Sequence, residues 1–121
     1  MMNAYAYFQR SNGNVERVAE VDIPEWMDTH QALEHVYCLL QNIRGSWSFG
    51  PFFEGCNDEA REGQPNLDYI TNVKFLGEHV VDEEGRKYGE RSMMIGDLIT
   101  FNGKTYEVDF VGFKEYVEEA A

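Results

Sequence analysis

Positive charge is what this chain has least of. Its 121 residues include 10 Lys and Arg against 22 Asp and Glu, a formal net charge of −12. Duplex nucleic acid is held largely by cations that neutralise phosphates, so this balance argues against direct duplex binding. It argues equally against adsorption to an anionic membrane surface. Long apolar runs are missing too: none approaches the ~20 residues that span a bilayer. The opening residues, MMNAYAYFQRSNG, lack the basic and apolar regions of a secretion signal. Cysteine is limited to Cys38 and Cys56. These absences predict a cytoplasmic protein, off the membrane, with both thiols reduced.

Aromatic residues are plentiful, with 8 Phe, 7 Tyr and 2 Trp. A chain of this length therefore has the apolar area for a single packed domain over 1–121. The strongest β-signal is Arg91–Phe113, RSMMIGDLITFNGKTYEVDFVGF. Asn102-Gly103 between two apolar runs predicts a hairpin, because a type I′ turn needs positive φ at both central residues. Strands are expected near 97–101 and 104–109, and a further short strand or helical turn over 110–117. At the other end, 4–9 and 15–21 read as a hairpin around the turn-forming Ser11-Asn12-Gly13-Asn14. Val15, Arg17, Ala19 and Val21 share one parity there. A helix is predicted over 29–43: Asp28 and Gln31 fit a capping box, Leu33, Val36, Tyr37 and Leu40 make one apolar face, and Gly45 is a stop. A short strand is expected within 69–76. The fold class is α+β: an antiparallel sheet of about five strands, either open or with a barrel-like curl, and one main helix on one face. Residues 45–68 read as a long irregular loop whose aromatic half packs on the core and whose acidic half is solvated. The acidic C-terminus is expected to fray.

Candidate chemistry is thin. His30 and His35 are five apart, which is not one-face spacing, and His35, Cys38, Cys56 and His79 show no compact ligand spacing. No metal and no cofactor is expected. Ser46, Ser48 and Ser92 lack a nucleophile elbow, and Cys38, between Tyr37 and Leu39, reads as core. Gly85–Gly89 lacks the order of a phosphate loop and reads as a turn. Tyr5, Tyr7 and Phe8 could stack on bases, but without a basic groove core packing and cross-strand pairing explain them more simply. Asp97, after Gly96 at the start of a strand, fits a carboxylate that fixes a turn by accepting backbone N–H groups.

Two blocks, Ala32–Trp47 (ALEHVYCLLQNIRGSW) and Arg91–Phe113, resemble a family of small uncharacterised proteins of bacteriophages, plasmids and bacterial accessory regions. Gln41, Asn42, Trp47, Arg91, Ser92, Gly96, Asp97, Gly112 and Phe113 fill its pattern, an N-x-x-x-x-W block and an R-S-x-S-x-G-D-V-I motif. Met94 departs from it, as does the glycine-rich stretch before Tyr69. The resemblance implies an accessory protein of a mobile element and no particular reaction. It points to Asn42, Trp47, Arg91, Ser92 and Asp97 as the binding residues, with core architecture as the plainer role for the set. Gly85-x-Lys87-x-x-Glu90-Arg91 followed by IGDLITF is also similar to ASCH/PUA-like RNA-binding barrels, although the final Arg stands one position early and the strand follows too soon.

The functional expectation is a non-enzymatic acidic accessory protein of a phage or mobile element that binds a host protein, as a nucleic-acid mimic or anti-defence factor. Its partner would be a basic protein that handles nucleic acid, and its working surface would include Glu54, Asp58, Glu59, Glu62, Asp82, Glu83 and Glu84. The plainer reading of the same charge is solubility. The alternative is a small RNA- or nucleotide-binding barrel module, or an enzyme on that fold, with Lys87, Arg91 and Asp97 in its pocket. One continuous stripe of carboxylates would favour mimicry, and an even spread would not.

Overall fold

The computed structural model describes residues 2–116. Its frame is a six-stranded antiparallel sheet with one helix. The strands are β1 (Met2–Gln9), β2 (Val15–Ile23), β3 (Val73–Phe75), β4 (Leu98–Phe101), β5 (Lys104–Val108) and β6 (Phe113–Glu115). Helix α1 (Thr29–Leu39) lies between β2 and β3 in the chain. The spatial order is β3-β2-β1-β4-β5-β6. The expected class therefore holds, with the strand count corrected and the open sheet selected over the barrel-like one. There are six strands, because the residues after Gly112 form β6, and β3 and β6 stay apart as edges, so the sheet does not close into a barrel. The predicted fraying of the C-terminus lies outside the described residues.

The Asn102-Gly103 turn takes the expected form, with φ of 52° and 79° and Phe101 paired with Lys104. In the first hairpin the parity expectation fails. Ala6 pairs with Ala19 and Tyr7 with Arg17, so Val18 is an extra residue in β2. This bulge switches the strand's faces. Ala19, Val21 and Ile23 point into the core, whereas Val15 and Arg17 lie on the opposite, open face.

Helix α1 starts at the predicted capping box: Gln31 N–H donates to Asp28 Oδ1 at 2.8 Å, and Asp28 N–H donates to Gln31 Oε1 at 3.0 Å. Ala32, Leu33 and Val36 are buried against the sheet's Ala4, Ala6, Phe8, Val21, Ile23, Ile99 and Phe101. Each large apolar side chain buried here is worth about 1.5–3 kcal/mol. Cys38 is exposed rather than core, because it lies two residues, about 200° of helix, from inward-facing Val36. The helix ends at Leu40, earlier than expected. Gln41 satisfies its last turn, its Nε2 donating to the Tyr37 carbonyl at 2.9 Å.

The predicted loop is ordered by its own polar residues. Asp68 Oδ2 accepts the N–H groups of Ile43, Arg44 and Gly45 at 2.7–2.9 Å. Asn66, buried, accepts from Ser46 N–H and donates to the carbonyls of Ser46, Phe49 and Gly50. Trp47, Phe49 and Phe53 are buried as expected, while Phe52 is half exposed.

Candidate functional site

Asp97 is the deepest of the residues singled out by sequence. Its side chain is 1% exposed and meets the Arg91 guanidinium in a two-pronged pair, at 2.6 Å and 2.8 Å. Asp97 also accepts Gln9 N–H and Met94 N–H, which fixes the turn through Gly96 (φ 95°) into β4. Arg91 donates to the Ser92 and Gln9 carbonyls and lies 4.2 Å above the Phe8 ring. It thereby joins β1 to the segment before β4.

The other predicted residues belong to the same network. Asn42 N–H donates to Ser92 Oγ at 2.8 Å. The Asn42 side chain donates to the Glu90 carbonyl and accepts Trp47 N–H. Trp47 Nε1–H donates to the Arg91 carbonyl at 2.8 Å, and its ring packs edge-on against Phe8 and Phe75. The structure thus brings Asn42, Trp47, Arg91, Ser92 and Asp97 together as a latch between helix end and sheet. Their polar groups are spent on one another and on backbone, which suits a structural lock better than recognition of a ligand.

Beside the latch is a cleft of about 310 Å³ lined by Arg10, Glu16, Phe75, His79, Tyr88 and Glu90 among others. Arg10 forks onto Glu90 at 2.7 and 2.8 Å and reaches Glu16 at 3.1 Å. Burial pushes the Glu90 carboxyl up, but the Arg10 hydrogen bonds and charge outweigh it, and the pKa lies below the ordinary glutamate value. The hydrogen bonds that Arg10 donates to Glu90 hold its guanidinium more firmly charged. His79 stacks 4.7 Å from both Phe49 and Phe75, and its Nδ1 lies 2.8 Å from the Tyr88 carbonyl. A carbonyl only accepts, so Nδ1 is the donor in this contact. Sequence reasoning missed this cleft because Arg10, His79 and Glu90 are remote in the chain.

The carboxylates of the expected acidic surface gather in one lobe. Gly55 and Asn57 exchange backbone hydrogen bonds with Lys87, which ties the 53–64 loop to the 80–88 turn. Arg86 sits between the two, in ion pairs with Glu59, Asp82 and Glu84. Glu54, Asp58, Glu59, Glu62, Glu83 and Glu84 are exposed, and Asp82 is half-buried. Part of this charge has internal work. Glu62 accepts Gly55 and Cys56 N–H, which holds its carboxyl below the usual range. Asp82 is lowered likewise, first by Arg86 N–H. Carboxylates outside the lobe lie on every side: Glu20, Asp22 and Glu107 on the open sheet face, Glu34 and Asp109 beside the helix, Glu16 and Glu90 in the cleft. The arrangement is a lobe, not a single stripe.

The remaining candidates are scattered. Lys87 stands in the acidic lobe, away from the Arg91–Asp97 pair. Cys56 packs with Phe49 and Phe53. Among the described residues, no cluster of His, Cys, Asp and Glu could hold a metal ion, and no helix is long and apolar enough to cross a membrane. Phe8 is core, but Tyr5 and Tyr7 lie on the open sheet face, with Arg17 over their rings at 4.5 and 5.4 Å. No family model, curated protein or solved structure matches the chain. The functional reading therefore rests on the chain's own geometry.

Proposed function

We propose that this protein is a non-enzymatic binding protein, an accessory factor of a phage or other mobile element, that docks a basic host protein through its acidic lobe. The observation that carries the reading is the convergence of two separate acidic segments around Arg86, seven carboxylates with three cations (Arg61, Arg86 and Lys87). Such a patch steers and orients a cationic partner. The self-satisfied latch supports it from the other side, since Arg91 and Asp97 neutralise each other. A partner that normally handles nucleic acid fits the lobe's charge, but carboxylates set in a lobe rather than one continuous stripe weigh against mimicry of a phosphate run.

The test is affinity capture from bacterial lysate with the wild type and with E54Q/E59Q/E83Q/E84Q, identified by mass spectrometry. The reading expects a reproducible basic partner that is lost with the variant and released as salt approaches ~1 M, where screening falls to a few ångströms. Equal capture by both proteins, or capture indifferent to salt, counts against it.

One observation favours the alternative, a small RNA- or nucleotide-binding module. The open sheet face carries Tyr5, Tyr7 and Arg17 and is locally neutral, with Arg17, Lys74 and Lys114 matched by Glu20, Asp22 and Glu107. Saturable binding of single-stranded RNA that Tyr5→Ala and Tyr7→Ala abolish would select it.

A further inference from the structure

The turn between β5 and β6 breaks the usual composition of turns. Polar residues and glycine dominate such positions, yet here Phe110 and Val111 occupy the tip, 85% and 84% exposed. The tip is not slack. Asp109 N–H donates to the Gly112 carbonyl at 2.9 Å, Phe110 N–H donates to Asp109 Oδ1 at 2.8 Å, and Gly112 takes φ 75°. Two large apolar side chains are thus held out on a braced support. Phe110 also lines a groove of about 390 Å³ between helix α1 and the hairpin, with Tyr37, Cys38, Ile95, Val108 and Phe113 among its other lining residues. Ile95 and its neighbour Met94 are more than half exposed, which widens the apolar surface. Exposed apolar side chains grouped around a groove point to an interaction surface, where a few anchors carry most of the binding energy.

The charges around the groove select its occupant. Glu34 and Asp109 line it, and His30 is paired with Glu34 at 3.2 Å. A second copy of this chain would bring another −12 against the first, which opposes self-association. We infer that the groove seats an apolar anchor of a basic protein segment, with Phe110 on its rim and Glu34 and Asp109 meeting the flanking cations. This goes beyond the proposed function: the groove shares no lining residue with the acidic lobe, and Glu34 and Asp109 set the sign of its partner's charge.

Cys38 supplies the readout, because it lies in the groove and is exposed, whereas Cys56 is buried. The probe is an amphipathic peptide of leucine and lysine, with a leucine–glutamate twin as control. The rate at which a thiol reagent modifies Cys38 is measured for the wild type, for F110S/V111S, and for the lobe variant E54Q/E59Q/E83Q/E84Q. The inference expects the lysine peptide to slow modification about tenfold and the glutamate peptide to leave it unchanged. F110S/V111S should abolish the protection and the lobe variant should keep it. Phe110 and Val111 are both exposed, so the double variant keeps the fold, and I95S, at another lining residue, gives an independent second loss. Protection that survives both F110S/V111S and I95S overturns the groove. Protection lost in the lobe variant alone overturns it too, while leaving the acidic lobe as the docking surface. Equal protection by the glutamate peptide overturns the assignment of a basic partner. Protection that grows with protein concentration in the absence of peptide, together with a dimer in sedimentation, gives the groove to a second copy and also overturns the inference.

Discussion

Arg91 and Asp97 face each other through two hydrogen bonds of 2.6 and 2.8 Å, with the Asp97 side chain 1% exposed and Arg91 about one-third exposed. The pair is the point where β1, the helix end and β4 are pinned together. Breaking it from the buried side leaves a guanidinium without its counter-charge and strands the N–H groups of Gln9 and Met94.

Asp97→Ala is therefore expected to destabilise the fold by about 3 kcal/mol, the low end for a buried pair because Arg91 keeps some water. Urea unfolding at neutral pH measures it. Arg91→Lys should cost less but still register, since an ammonium cannot span both carboxylate oxygens. Equal midpoints for wild type and Asp97→Ala would rule out the latch as a stabilising element.

Trp47→Phe should cost about 1–2 kcal/mol, because the Nε1–H bond to the Arg91 carbonyl is lost and that carbonyl is left without its indole donor. Fluorescence separates the two tryptophans: Trp26 is 73% exposed and Trp47 is 4% exposed. Acrylamide should quench most of the signal in Trp47→Phe and little of it in Trp26→Phe.

Gly45→Ala tests the ordering of the long loop. A Cβ there would stand 2.2 Å from Asn66 Oδ1 and 3.2 Å from the backbone N of Leu67 and Asp68. The loop must shift, at about 1–3 kcal/mol for an overpacked site, and the Asp68 and Asn66 hydrogen bonds are strained with it. Gly50→Ala, with open space around its Cβ, is the control. Thermal unfolding should drop for the first and hold near wild type for the second.

Acid should unfold the protein through Glu90 among others. Its pKa is depressed in the folded state, burial being outweighed by Arg10, so its contribution is fully present above the unfolded glutamate value of about 4.3. That contribution is lost as pH falls through the lower folded value. Glu90→Gln should flatten the fall in stability below about pH 4.3, as read from urea midpoints across pH. A slope identical to wild type would show that Glu90 carries none of it.

Local signals were the legible part of this chain. Asn102-Gly103, the Asp28–Gln31 capping box and the Gly96–Asp97 turn each specify their structure within four residues, and all three appear as expected. What escaped depends on partners distant in sequence. Helix α1 ends early because Gln41, Asp68 and the 90–93 segment capture the chain after it. The bulge at Val18 has no composition cue and reversed the facing of Val15 and Arg17. Asn66-Leu67-Asp68 was the one readable hint of order in the loop, since Asx residues two apart often fold backbone around their side chains. For the site, the two sequence blocks did locate residues that meet. Their chemistry was not legible, because hydrogen bonds that lock a fold and those that hold a ligand use the same side chains.

The position of β1 has a consequence for synthesis. It is a central strand, pairing with β2 at once but with β4 only through contacts such as Ala4 with Phe101. A ribosome emits the first hairpin long before the strand that closes its other side. Until then β1 offers a bare row of N–H and C=O groups next to Ala4, Ala6 and Phe8, a template for any extended chain nearby. Such distant pairing also slows folding. The nascent protein is thus most prone to aggregate between the emergence of β2 and that of β4, a window set by strand order rather than by final stability.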